Sequence, residues 1–85
     1  MLVIWKFPLG LFYSQRVIMP NGARVLSVQI QRGVPTLWAI CNPNERPTER
    51  KFEIIGTGQP FEWCEREFVG TVQNGGVVWH VFERV

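Results

Sequence analysis

Ala23-Arg24-Val25-Leu26-Ser27-Val28-Gln29-Ile30-Gln31-Arg32-Gly33-Val34-Pro35-Thr36-Leu37-Trp38-Ala39-Ile40-Cys41 is the stretch from which the fold can be read. In its first arm Leu26, Val28 and Ile30 fall on one face and Ser27, Gln29 and Gln31 on the other. Successive side chains of an extended chain point to opposite faces, so this alternation predicts a half-buried strand. Gln31-Arg32-Gly33-Val34 predicts a tight hairpin turn with Gly33 at positive φ. The return arm, Pro35 to Cys41, is apolar on both faces through Leu37, Trp38, Ala39 and Ile40. The two arms are expected to pair as a central hairpin.

The same punctuation continues outward in both directions. Met1 to Phe7 is an apolar run closed by Pro8, read as a strand with both faces covered, and Leu11 to Ile18 is read as a second strand. Pro20-Asn21-Gly22 is a strong turn signal, because Pro presets φ and Asn-Gly tolerates positive φ. Asn42 to Lys51, polar and holding Pro43 and Pro47, predicts an exposed loop. Phe52 to Ile55 predicts a strand, and Phe61 to Glu67, which lacks period two, predicts one helical turn or an irregular loop. Phe68 to Gln73 and Val77 to Arg84 flank Asn74-Gly75-Gly76 and predict a second hairpin. No segment carries a helical stripe. The expected class is all-β and antiparallel, a small barrel or strongly bent sheet of six or seven short strands, forming one domain over residues 1–85.

Composition narrows the chemistry. The chain has 85 residues, 46% of them hydrophobic, eleven aromatic, with a net charge of +2. That excludes a disordered chain. No apolar run reaches the length of a membrane-spanning helix, and the N-terminal run has neither a basic start nor a small-residue cleavage site. No membrane association is expected, and the compartment is expected to be reducing. There is no Asp, and His80 is the single histidine. A two-metal nuclease would have to be built from Glu alone, and a zinc hydrolase usually takes two or three His ligands. No metal and no cofactor are therefore expected. Cys41 and Cys64 form no C-x-x-C pair and read as free buried thiols. The nearly balanced charge does not call for duplex DNA as a partner. Seven Arg against two Lys does suit bidentate contacts to anions, or else solvated strand faces.

Several short motifs follow one another along nearly the whole chain: Trp5-Lys6-Phe7-Pro8-Leu9, Met19-Pro20-Asn21-Gly22-Ala23, Leu26-Ser27-Val28-Gln29, Gly33-Val34-Pro35, Leu37-Trp38-Ala39, Gly56-Thr57-Gly58-Gln59-Pro60-Phe61, Val69-Gly70-Thr71 and His80-Val81-Phe82-Glu83. The set resembles a family of small bacteriophage and prophage proteins of unknown function. That resemblance implies a phage accessory protein acting in the bacterial cytoplasm, and it brings no reaction or catalytic residue with it. In the family the glycine motif often reads G-T-G-H-P-F, and here Gln59 stands at the histidine position. An imidazole function is lost there, while an amide can still donate and accept hydrogen bonds.

Two sets of residues are candidates for ligand contact. Gly56, Thr57, Gly58 and Gln59 follow a strand, and two glycines let backbone N–H groups approach an anion without Cβ obstruction. The segment is neither a Walker motif nor a dinucleotide fingerprint, and a tight structural turn explains it equally. Gln29 and Gln31, with Ser27, form a polar stripe flanked by Arg24 and Arg32, suited to base edges and phosphates or simply to solvent. His80 reads as a core or edge histidine bonded to backbone in preference to a catalytic one, since nothing in the sequence places Cys41 or Cys64 within reach of it. The four Trp read as core before stacking platform.

A small all-β monomer has one interior, so strands apolar on both faces predict a homo-oligomer. Three functions follow as expectations. The first is an anti-defence phage protein that sequesters an anionic, nucleotide-type host signal. The second is a protein inhibitor of a host defence effector or nuclease complex. The third, an enzyme, is disfavoured by the missing Asp and solitary His.

Overall fold

The computed structural model describes residues 1–85 and contains seven strands and no helix. They are β1 (Val3–Pro8), β2 (Ser14–Pro20), β3 (Arg24–Gln31), β4 (Val34–Cys41), β5 (Pro47–Gly56), β6 (Arg66–Asn74) and β7 (Val77–Arg84). All pairings are antiparallel. One sheet has the order β1-β4-β3 and the other β2-β5-β7-β6. The expected all-β class is present, as two sheets that do not close into a barrel.

Both predicted hairpins are present. Arg32 and Gly33 take φ of 50° and 78°, and Gly75 and Gly76 take 60° and 86°. Positive φ at both central residues is the two-residue turn whose twist matches that of the flanking strands. The Asn21-Gly22 turn does a different job: it passes the chain from one sheet to the other, with Ala23 N–H donating to Pro20 O at 3.1 Å.

The core lies between the sheets. Leu37, Ala39 and Cys41 of β4 and Val28 of β3 meet Met19, Phe52, Ile54, Val72 and Val81 of the other sheet. The sheets approach most closely where β3 packs on β6. A Cβ on Gly70 would stand 2.9 Å from Val28 Cγ1, so only glycine lets β6 come this near. Both cysteines are free; Cys41 is buried and Cys64 half-buried.

Four expectations are corrected. A bulge between Val25 and Ser27 shifts the register of β3. Val25 then takes the inward position opposite Ala39, and Leu26, expected inside, is 46% exposed. Met1 to Phe7 does not have both faces covered: β1 is an edge strand, with Ile4 60% and Trp5 43% exposed. Residues 11–13 precede β2 and are not part of it, because the Gln15 amide bonds both Gly10 N–H and Gly10 O and bends the chain there. The Asn42–Lys51 loop ends early, since Pro47 to Lys51 pair with β2. These residues have no partner on β7, whose pairing starts at Phe52. A polar, proline-bearing sequence is tolerated on such a half-paired edge. Residues 60–65 form the irregular loop, not a helical turn.

Candidate functional site

The two sets of candidate residues lie on different sheets. Arg24, Gln29, Gln31 and Arg32 belong to β3 and its turn. Gly56 ends β5, and Thr57, Gly58 and Gln59 follow it. No cavity is lined by members of both sets. Gln29 is exposed, and the Gln31 carbonyl accepts from Lys6 Nζ at 3.0 Å, tying β3 to β1 across β4.

The glycine turn spends most of its own donors. Gly56 N–H donates to Gln59 Oε1 at 2.9 Å, Thr57 N–H to Val78 O at 3.1 Å, and Gln59 N–H to Gly56 O at 3.0 Å. Gln59, at the position of the family histidine, thus closes the turn. Gly58, at φ 86°, keeps the one N–H of the turn without a protein partner.

Thr57 reaches the outer face of the β2-β5-β7-β6 sheet, where His80 stands opposite Thr71 on β6. Thr57 Oγ1 is 2.7 Å from His80 Nε2, and Thr71 Oγ1 is 3.0 Å from His80 Nδ1. The imidazole is half-buried and both hydroxyls are exposed. A cavity of about 310 Å³ adjoins them, walled by Ile55, Phe61 and Phe82.

The same outer face holds a buried carboxylate. Glu53 is bonded by Arg66 Nε and, at 3.1 Å, by Arg84. Arg66 also donates to Glu62 O at 2.9 Å and lies over the Phe61 ring, so one guanidinium pins the 60–65 loop against the sheet. Burial pushes the Glu53 carboxyl upward, but the bonds from Arg66 and Arg84 outweigh it and hold it below its ordinary range. Between the sheets, Arg50 grips Glu83 at 2.5 and 2.9 Å and donates to Ala23 O at 2.5 Å, clasping one sheet to the first residues of the other. Beside this clasp Arg24 lines a cavity of about 390 Å³ shared with Glu67 and Glu83, so the lining carries both signs of charge.

Opposite the β3–β6 contact the sandwich opens. A cleft of about 270 Å³ lies between β1 and β2, lined by Trp5, Phe7, Ile18, Met19 and Pro20 and, from the segment that follows β4, by Pro43, Glu45 and Pro47. Trp5 and Ile18 line it while remaining exposed, and Leu2 and Ile4 are exposed on the same edge segment. Sequence reading did not find this cleft, because it depends on which two strands become neighbouring edges. It also missed both ion-pair clusters, whose partners lie 13 to 33 residues apart. Arg50 in particular sits in the segment taken for a loop.

A family model described as a domain of unknown function, DUF7352, matches residues 1–85, and the chain belongs to that family. No curated protein and no solved structure gave a match.

Proposed function

We propose that this DUF7352 member works by binding another protein along its open β1–β2 side. The observation behind the proposal is the uncharged apolar run Leu2-Val3-Ile4-Trp5, exposed at the start of an edge strand, with Trp5 lining the β1–β2 cleft. Edge strands offer unpaired backbone groups, and soluble proteins normally guard them with charge. Here β2 carries Arg16 paired with Glu49, and β3 and β6 carry Arg24, Arg66 and Glu67. In β1 the guard is reduced to Lys6. An extended segment of a partner can add to such an edge through main-chain bonds while its side chains fill the cleft. In the phage setting that the sequence resemblance implies, the partner is a host protein; a second copy of the chain would use the same edge.

The test is a photo-crosslinking residue placed at Ile4 in one protein and at the exposed Gln73 in another. A discrete adduct from Ile4 alone, abolished by Trp5→Lys, supports the proposal. Equal labelling from both positions, or none, counts against it.

Sequestration of an anionic nucleotide is the second reading, favoured by Arg24 at the cavity of about 390 Å³ and by the unspent Gly58 amide. It has the weaker support, because three of the turn's N–H groups are already bonded and Glu67 and Glu83 share the cavity with Arg24. Calorimetric titration of cyclic and linear nucleotides checks it. Binding weakened about ten-fold by Arg24→Ala or Gly58→Val is expected if it holds; no heat up to millimolar ligand removes it.

A further inference from the structure

We infer that Thr57, His80 and Thr71 form a nucleophilic site able to cleave small apolar esters. This site lies on the outer sheet face and does not depend on the binding surface above. A neutral imidazole donates from one ring nitrogen and accepts at the other. His80 Nε2 lies 2.7 Å from Thr57 Oγ1, and Nδ1 lies 3.0 Å from Thr71 Oγ1. The proposed site uses the tautomer with the proton on Nδ1, in which Nδ1–H donates to Thr71 Oγ1 and Nε2 accepts from Thr57 Oγ1–H. That is a hydroxyl held against a base, and a base oriented by a third group. Thr71 orients the ring but is uncharged, so it stabilises the imidazolium less than a carboxylate would.

The surroundings add one oxyanion donor and an apolar wall. Gly58 N–H, the amide directly after the nucleophile, has no protein partner. The amide at that position is one of the two oxyanion donors in strand-to-turn nucleophile motifs. Ile55, Phe61 and Phe82 wall the adjoining cavity and suit a short acyl chain.

The step balances without a cofactor. Thr57 Oγ1 attacks the ester carbonyl carbon as its proton passes to His80 Nε2, and the oxyanion is received by Gly58 N–H. The bond to the leaving alcohol breaks, His80 returns the proton to it, and acyl-Thr57 remains. Water then attacks the acyl carbon. His80 takes its proton and returns it to Thr57 Oγ1, and the carboxylic acid leaves.

The experiment treats the full chain with p-nitrophenyl butyrate and, separately, with a fluorophosphonate probe, read by intact mass and peptide mapping. One phosphonyl group on Thr57 is expected, with slow turnover of the ester. Thr57→Ala and His80→Gln should each lower turnover about 100-fold, the low end of what positioned acid–base groups contribute. Thr57→Ser keeps a hydroxyl at this position and should still take up one phosphonyl group there. Thr71→Val should lower kcat with KM unchanged, and Thr71→Ser should restore it, because Thr71 acts by orienting His80. Circular dichroism matching the parent confirms that each variant is folded. Phosphonylation elsewhere, no phosphonylation, or a folded Thr57→Ala protein that turns over ester at the parent rate overturns the inference.

Discussion

Glu53 shows how two guanidinium groups hold a buried side chain in its charged form. It and Arg66 are buried side chains on a sheet face that the 60–65 loop covers, with Arg84 at the margin. Replacing the carboxylate, as in Glu53→Gln, leaves two guanidinium groups without their counter-charge. The expected loss is about 1–3 kcal/mol, below the cost of breaking a fully buried pair because Arg84 keeps about a third of its side chain in water. Urea unfolding at neutral pH measures it. The pH dependence has a definite sign. Folding lowers the Glu53 pKa from the usual 4.5, so the unfolded chain binds this proton more tightly. Its contribution is fully present above about pH 4.5 and is lost as the pH falls through the folded value. Glu53→Gln should therefore flatten the acid limb of the stability curve; an unchanged limb would show that other carboxylates dominate it. Gly70 is the other decisive residue. Gly70→Ala sets a methyl 2.9 Å from Val28 Cγ1, inside the packed contact of β6 on β3, and should cost about 1–3 kcal/mol in the same assay.

Turn chemistry and edge protection belong to the elements. The β3–β4 turn places Arg32, a residue with a Cβ, at φ 50°. A left-handed conformation costs an ordinary residue roughly 1–2 kcal/mol, and Asn-Gly is the preferred pair for this turn. Arg32→Asn should raise the unfolding midpoint by a fraction of that amount, measured by thermal melting. A drop instead would show that the Arg32 side chain supports the fold. The edges differ in protection: three carry charges, and β1 carries an apolar run with one Lys. Turn sequence settles a hairpin locally, while the exposure of β1 depends on its place beside β4.

At the scale of the whole molecule the sandwich is closed by the β3–β6 contact and the Arg50 clasp, and open at the β1–β2 cleft. Two sheets over a thin interior give extents of 41 × 30 × 16 Å, which leaves much apolar surface outside. If β1 takes up a second copy, sedimentation at low micromolar concentration should show at least a dimer, and Ile4→Lys should return it to monomer. A monomer persisting to millimolar concentration limits self-association to about −4 kcal/mol and leaves a different protein as the occupant of that edge.

The sequence by itself determined the all-β class and both hairpins; for Phe61 to Glu67 it left a helical turn and an irregular loop open, and Arg66 and Glu67 belong to β6. Period two and the Arg32-Gly33 and Gly75-Gly76 turns are local signals, set by neighbours one to three positions away. It could not place Leu26 outside, because a bulge is defined by the partner strand, nor find the strand at 47–51, because half-paired edges keep loop-like composition. The glycine turn was visible as a motif, yet its geometry reserves most of its amides for itself and turns Thr57 toward His80. Only the tertiary structure decided that meeting, the Glu53 and Arg50 clusters, and the open apolar side. Each depends on contacts between residues far apart in the chain, and those distances are fixed by how the two sheets stack.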